Sequence, residues 1–209
     1  AEAIALGKER AITDRRTTRN FTHEMVPPGV VLTAIEAAVT APAPHHTTPW
    51  RFLVLHFHEP QHHQKRIALL DAMAATWQRD LQAEGKSQDE VSKRIARGDI
   101  LRTAPCVVLP FLDLAAGAHT YPEVGGRNNS ERDMFLVAGG AAVENLLISI
   151  SAQGYGGAWI SSTLFCPDTV RNHLGLGSSF LPLGAVAIGL SESSPSPRSP
   201  KNPVSFLID

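Results

Sequence analysis

Cysteine is scarce in this 209-residue chain: Cys106 and Cys166 are the only two, each among apolar neighbours. Two isolated thiols make no disulfide framework, so a reducing cytoplasm is the expected compartment. Net charge is missing as well, because 19 Lys and Arg face 20 Asp and Glu and leave -1. A chain without a broad positive field is not built to grip nucleic acid. No unbroken apolar run approaches the roughly 20 residues of a membrane span, so no membrane partner is expected either. The chain opens at Ala1, with neither an initiator Met nor a signal-peptide pattern, which points to a piece of a longer protein. No Walker sequence, zinc-ligand spacing or nucleophile–base arrangement stands out.

What is present is an ordinary balance, 43% hydrophobic and 19% charged, enough to bury one core, and no linker divides the chain. Helical signals run from Ala3 to Arg16 and again from Pro27-Pro28 until Pro42 and Pro44 stop the pattern. Arg51 to His58 reads as a strand, and Pro60 to about Glu84 as a long helix ended by Gly85. Ser87 with Glu90 forms a capping box for a helix reaching Gly98. Ala104 to Leu112 suits a buried strand limited by Pro110, and Asp113 to Asn129 a loop. Ser130 with Asp133 is expected to cap the longest apolar helix, which ends at Gly154. A strand at Ala158–Ile160, a helix from Pro167 to Leu174, a strand from Leu183 to Leu190 and an extended tail follow. Gly139-Gly140-Ala141-Ala142 would let another helix come close, within the chain or across a dimer.

Three stretches carry possible chemistry. Arg15, Arg16, Thr17, Thr18 and Arg19 crowd three guanidinium groups and two hydroxyls into five residues. Either an anion such as phosphate is gripped there, or Arg15 and Arg16 complement the negative end of a helix. Gly154-Tyr155-Gly156-Gly157 follows a helix and precedes a strand, the reverse of a dinucleotide fingerprint. It is either a helix stop with a tight turn or a backbone that comes close to a flat ligand. Six of the nine histidines (His45, His46, His56, His58, His62, His63) cluster in the sequence. A metal pair at His56 and His58 lacks a third ligand, so solvated side chains and no metal are expected.

Taken in order, these stretches resemble the FMN-dependent nitroreductase family. Arg15-Arg16-Thr17-x-Arg19-x-Phe21 is similar to its RRSxRxF opening, and Ala41 to Phe52 to its APSAxNxQPWRF segment. Gly154 to Ile160 is similar to its GLGSCWI turn, Leu183 to Leu190 to its PLGAVAIGY strand, and Pro197 to Pro200 to its PRKP tail. The resemblance implies an α+β, nitroreductase-like fold, a mixed central sheet packed by helices, in an intertwined homodimer. It implies FMN as cofactor, its phosphate on Arg15, Arg16, Thr17, Thr18, Arg19 and Arg198. Ala43, Pro44 and His46 would lie along the flavin, and Gly154, Gly156 and Gly157 at its edge. His46 and Thr48 stand where the family has Asn and Gln.

Within the family, Ala41 to Thr47, Trp77 to Asp80, Arg94 to Gly98 and Ala118 to Pro122 resemble the C-terminal domain of a bifunctional coenzyme F-420 ligase. That resemblance implies a covalently linked N-terminal ligase domain outside this chain. It also implies reduction of the double bond of dehydro-F-420-0 by the flavin, and support for extension of the γ-glutamate tail. Coenzyme F-420 would be bound as substrate or product. Trp77 and Arg79 would wall the deazaflavin ring, while Arg94 and Arg97, one turn apart beside Lys93 and Arg102, would meet the anionic tail or else form a solvated face. No catalytic side chain is expected, because flavin carries the chemistry.

Overall fold

The two apolar runs at 51–58 and 104–112 pair at the heart of one sheet. In the computed structural model, which describes residues 11–122, 125–193, 196, 198–199 and 201–208, β1 (Trp50–His56) lies antiparallel to β2 (Cys106–Asp113). β2 continues to β5 (Ala185–Gly189), and β5 to the outer strand β3 (Gly156–Ile160). A three-residue strand, β4 (Phe180–Pro182), joins β2 beyond the end of β5. All four ladders of the sheet are antiparallel, and the one parallel pairing among the described residues is an isolated bridge between Thr17 and Gly157.

Strand periodicity divides the core in two. Cys106, Val108 and Leu112 face a layer made by α1 (Pro28–Ala38) and α5 (Arg127–Ala152). Val107, Leu109 and Phe111 face α2 (Pro60–Ala83), α4 (Ile100–Thr103) and α6 (Pro167–Leu174). Because β2 is covered on both faces, it reads as continuous apolar sequence rather than alternation. Pro110 fits inside it because its carbonyl accepts from Leu183 N at 2.9 Å. The same side is where β2 changes neighbour from β5 to β4, so no ladder donor is required there.

Capping explains which boundaries the sequence reveals. Ser87 and Glu90 exchange both bonds of the capping box at the start of α3 (Gln88–Ala96), and the bonds that the Glu90 carboxylate accepts from Ser87 N and Oγ hold it below its usual range. Ser87→Ala should cost about 1 kcal/mol, read as a lowered urea midpoint with an unchanged slope. The start of α5 departs from expectation. It begins at Arg127 behind Gly126 (φ 71°) without a side-chain cap, and Ser130 N donates to Gly126 O inside the first turn. The first helix, expected from Ala3 to Arg16, falls mostly outside the described residues; positions 11–14 are helical and the chain has left the helix by Arg15.

α5 is long and apolar enough, with a window hydropathy of 1.6, to match a membrane span by length and composition. Its small and polar residues break up the apolar runs in the sequence. Here it is the central core helix, with Phe135, Val143, Leu146 and Ile150 fully buried. Gly139 does not serve a neighbouring helix as expected. A Cβ there would lie 2.7 Å from Leu183 and 3.2 Å from Leu112, so the glycine admits side chains of the sheet. Gly140 faces open space.

Arg66, on α2, is 1% exposed and gives its guanidinium to Ala104 O at 2.8 Å and Arg102 O at 3.0 Å. It fastens α2 to the exit of α4, and desolvation lowers its pKa. Both thiols are reduced and buried; burial pushes Cys106 up to about 12 and Cys166 to about 11, so neither is a nucleophile near neutral pH.

Candidate functional site

Residues 15–22 run along the open edge of β3 and the end of β5. Thr17 bridges Gly157, Thr18 N donates to Gly157 O at 3.0 Å, and Thr22 N donates to Leu190 O at 2.9 Å. Two stretches about 140 residues apart are thus brought side by side. Gly156 and Gly157 belong to β3 itself rather than to a turn, and only Gly154 (φ 83°) is the helix stop. A Cβ on Gly156 would sit 2.6 Å from Thr18 Cβ, so glycine is what lets the two backbones lie this close.

The arginines at this junction are not equivalent. Arg15 Nε is 2.9 Å from Glu144 Oε1 on α5, an ion pair that pins the segment to the core helix. Arg16 is half-buried, and its Nη1 is buried with no hydrogen-bond partner among the described residues. A desolvated guanidinium nitrogen without an acceptor is costly, on the order of 1–3 kcal/mol, and an oxyanion relieves that cost. Thr18 is buried, whereas Thr17 and Arg19 are exposed. Arg198 is exposed in the tail. Of these residues, Arg16 is the one with a buried polar atom that an oxyanion would satisfy.

Ala43, Pro44 and His46 lie at a 3-10 turn, Pro44–His46, between α1 and β1. His45 and His46 both have left-handed backbone, φ 55° and 54°, which imidazole side chains tolerate better than most. Thr47 closes the turn on Pro44 O through both N (3.1 Å) and Oγ1 (2.8 Å). His45 Nε2 reaches Glu131 Oε1 at 2.8 Å, so this turn too is tied to α5. A hydrogen bond from His119 N (2.9 Å), assisted by His45, holds the buried Glu131 carboxyl below its usual range. Its contribution to stability is present above about pH 4.3 and is lost as pH falls through the lowered value.

On the other face of the sheet, a cavity of about 210 Å³ is lined by Trp77, Arg94, Arg97, Ile160, Ser161 and Ser162, among others. Three of the four expected substrate residues therefore meet in one place. Lys93 is held by Asp89 at 2.7 Å and lies outside the lining. Arg102 lines the cavity but is held by Asp71 at 2.7 Å, which leaves Arg94 and Arg97 as the lining arginines without an ion pair among the described residues. Trp77 Nε1 and Ser162 Oγ are buried without hydrogen-bond partners of normal geometry among the described residues. Arg79 is not part of the lining; it bonds Thr76 Oγ1 at 3.1 Å on its own helix.

The histidines at the end of β1 are less solvated than the sequence suggests. His56 is 8% exposed, and burial lowers its pKa. His62 Nδ1 pairs with Glu59 at 2.9 Å, and His63 packs edge-on against Phe57. His58 instead reaches His23 O at 3.2 Å. His56 and His58 are therefore engaged with different partners, His56 beside His62 and His58 on His23 O.

Residues 12–190 match the Nitroreductase family. The chain belongs to that family. Among solved structures, a protein from Desulfovibrio desulfuricans solved in complex with FMN is 27% identical, with TM-score 0.69, covering 97% of this chain and 95% of that one. A nitroreductase-like family protein from Bacillus cereus is similar at 19% identity and TM-score 0.71, over 97% and 95% of the two chains. A nitroreductase with bound FMN from Desulfitobacterium hafniense is similar at 18% identity and TM-score 0.68, over 97% of both chains. The family match spans the arginine segment, the β3 glycines and the cavity alike. Sequence reading missed Glu144 and Glu131, the carboxylates of α5 that hold Arg15 and His45, because neither lies within ten residues of its partner. It also missed Ser162, a lone hydroxyl in no motif.

Proposed function

We propose that this chain binds FMN and reduces dehydro-F-420-0 to F-420-0 in coenzyme F-420 biosynthesis, in the reducing cytoplasm. In the same reading it is joined to an N-terminal ligase domain and supports extension of the γ-glutamate tail. The observation that carries the flavin half is the unpartnered Arg16 nitrogen beside the Thr18–Gly157 contact. FMN bound in the Desulfovibrio and Desulfitobacterium proteins supports it. Arg16, with Thr17, Arg19 and Arg198, holds the phosphate. The close approach at Gly156 and Gly157 keeps the rim flat, while Ala43, Pro44 and His46 orient the ring. When bound, FMN supplies hydride transfer to an activated carbon–carbon double bond.

Arg15 and His45 are anchored on α5 at Glu144 and Glu131, about 20 Å apart along the helix at 1.5 Å per residue. We place the two halves of one flavin site on two copies of the chain in an intertwined homodimer. Exposed Val137 (76%) beside the open Gly140, and Phe206, Leu207 and Ile208 in the tail, are the apolar surfaces that such a dimer would cover. The cavity supports the deazaflavin half. At about 210 Å³ it is smaller than the roughly 300–1,000 Å³ of a full ligand pocket. It takes a ring against Trp77 and leaves an anionic tail on the exposed Arg94 and Arg97.

The test uses FMN-loaded protein with the flavin chemically reduced and then mixed anaerobically with dehydro-F-420-0. The expected product is F-420-0, heavier by one H₂ in the mass spectrum. Rapid NADPH oxidation with quinones or nitroaromatics and no such product would replace this reading with a general reductase. Tight deazaflavin binding without consumption of the precursor would leave a non-catalytic binding module.

A further inference from the structure

Sequence spacing gives no metal site, but the fold assembles a set of ligands outside the arginine junction and the cavity. His45 comes from the 3-10 turn, His119 from the segment after β2, and Glu131 from the second turn of α5. One ring nitrogen of each histidine and one carboxylate oxygen of Glu131 lie within 4.8 Å of one another. We propose that His45, His119 and Glu131 bind a divalent first-row transition metal, with zinc the best fit to two imidazoles and one carboxylate.

The chemistry of the donors supports this. Glu131 is buried, its side chain 6% exposed, and its Oε1 accepts from His119 N at 2.9 Å, which orients the carboxylate. The two imidazole rings stack at 4.0 Å between centroids, 24° from parallel. The lone pairs lie in the ring planes, so ligation turns one of these exposed imidazoles out of the stack until both nitrogens converge on the ion. Tetrahedral zinc with bonds of about 2.0–2.2 Å holds its ligands about 3.4 Å apart. Both imidazoles are on exposed residues, which leaves the rings free to close from within 4.8 Å to that spacing. Three protein ligands leave one position for water. Outside them, the Tyr121 hydroxyl donates to Glu131 Oε2 at 3.4 Å. Tyr121 is itself clamped by Asn128, which bonds its N and O at 2.8 and 2.9 Å, and by the Arg127 guanidinium 3.8 Å above its ring. Such outer contacts fix the orientation of ligands. The ion would join three chain segments and hold the left-handed turn at His45 and His46.

The experiment is calorimetric titration of ZnCl₂ into chelator-stripped chain, with CoCl₂ absorption as a second readout. One equivalent is expected to bind, with or without FMN, so the outcome is independent of the flavin reading. His119→Ala should weaken binding by at least about a hundredfold, while His58→Ala should leave it unchanged. Imidazole NMR on the unmodified chain guards against a variant that fails to fold: zinc should shift His45 and His119 and no other histidine. No stoichiometric binding, equal loss in His58→Ala, or shifts centred on His56 and His62 would overturn the proposal.

Discussion

Arg16→Ala is expected to purify folded and colourless, with FMN affinity lowered about ten- to a hundredfold. The figure follows from one charge-assisted hydrogen bond, about 1.5–3 kcal/mol, with each 1.4 kcal/mol a factor of ten. The unpartnered Nη1 singles out this arginine. Arg15 is already neutralised by Glu144, and truncating it should disturb the segment more than the anion. Arg16→Lys should recover part of the loss, because an ammonium supplies the charge without the planar fork. Quenching of FMN fluorescence on titration measures all three proteins. Wild-type affinity in Arg16→Ala would place the phosphate elsewhere.

Phe135→Ala is expected to have the largest effect on stability. The ring is fully buried in the core cluster between α5 and the sheet. Removing it should cost about 3–5 kcal/mol, a large share of the roughly 5–15 kcal/mol that holds a domain of this kind. The melting temperature should fall by roughly 10 °C at fixed protein concentration. The ring also lies 6.2 Å from the His45 imidazole, so the variant should loosen the 3-10 turn as well. Phe135→Leu should retain most of the stability; a melting point unchanged in Phe135→Ala would contradict this account of the core.

How much was legible follows from the range of each signal. Local chemistry read well: the Ser87–Glu90 box, proline at the starts of α1, α2 and α6, and Gly154 after α5 all act within a few residues. The start of α5 was hidden because Gly126 offers no capping side chain. α4 and β4 were hidden because four and three residues are too few to show a period. The arginine segment and the β3 glycines could each be noticed, but their contact spans about 140 positions and only the sheet edge explains it. The cavity was partly visible through Trp77, Arg94 and Arg97. Arg79 shared their neighbourhood in sequence yet turns back onto its own helix. Glu131 carried no sequence signal, because its partners His45 and His119 meet it only after folding.

Pro110 has a bearing on solubility during folding. Where β2 passes from one partner to the next there is a short gap between β5 and β4, and such gaps invite strand insertion by another molecule. A ring nitrogen without hydrogen offers the intruder no donor at that point. The chain closes that gap itself, with Leu183 N on the Pro110 carbonyl, and leaves no free donor beside it.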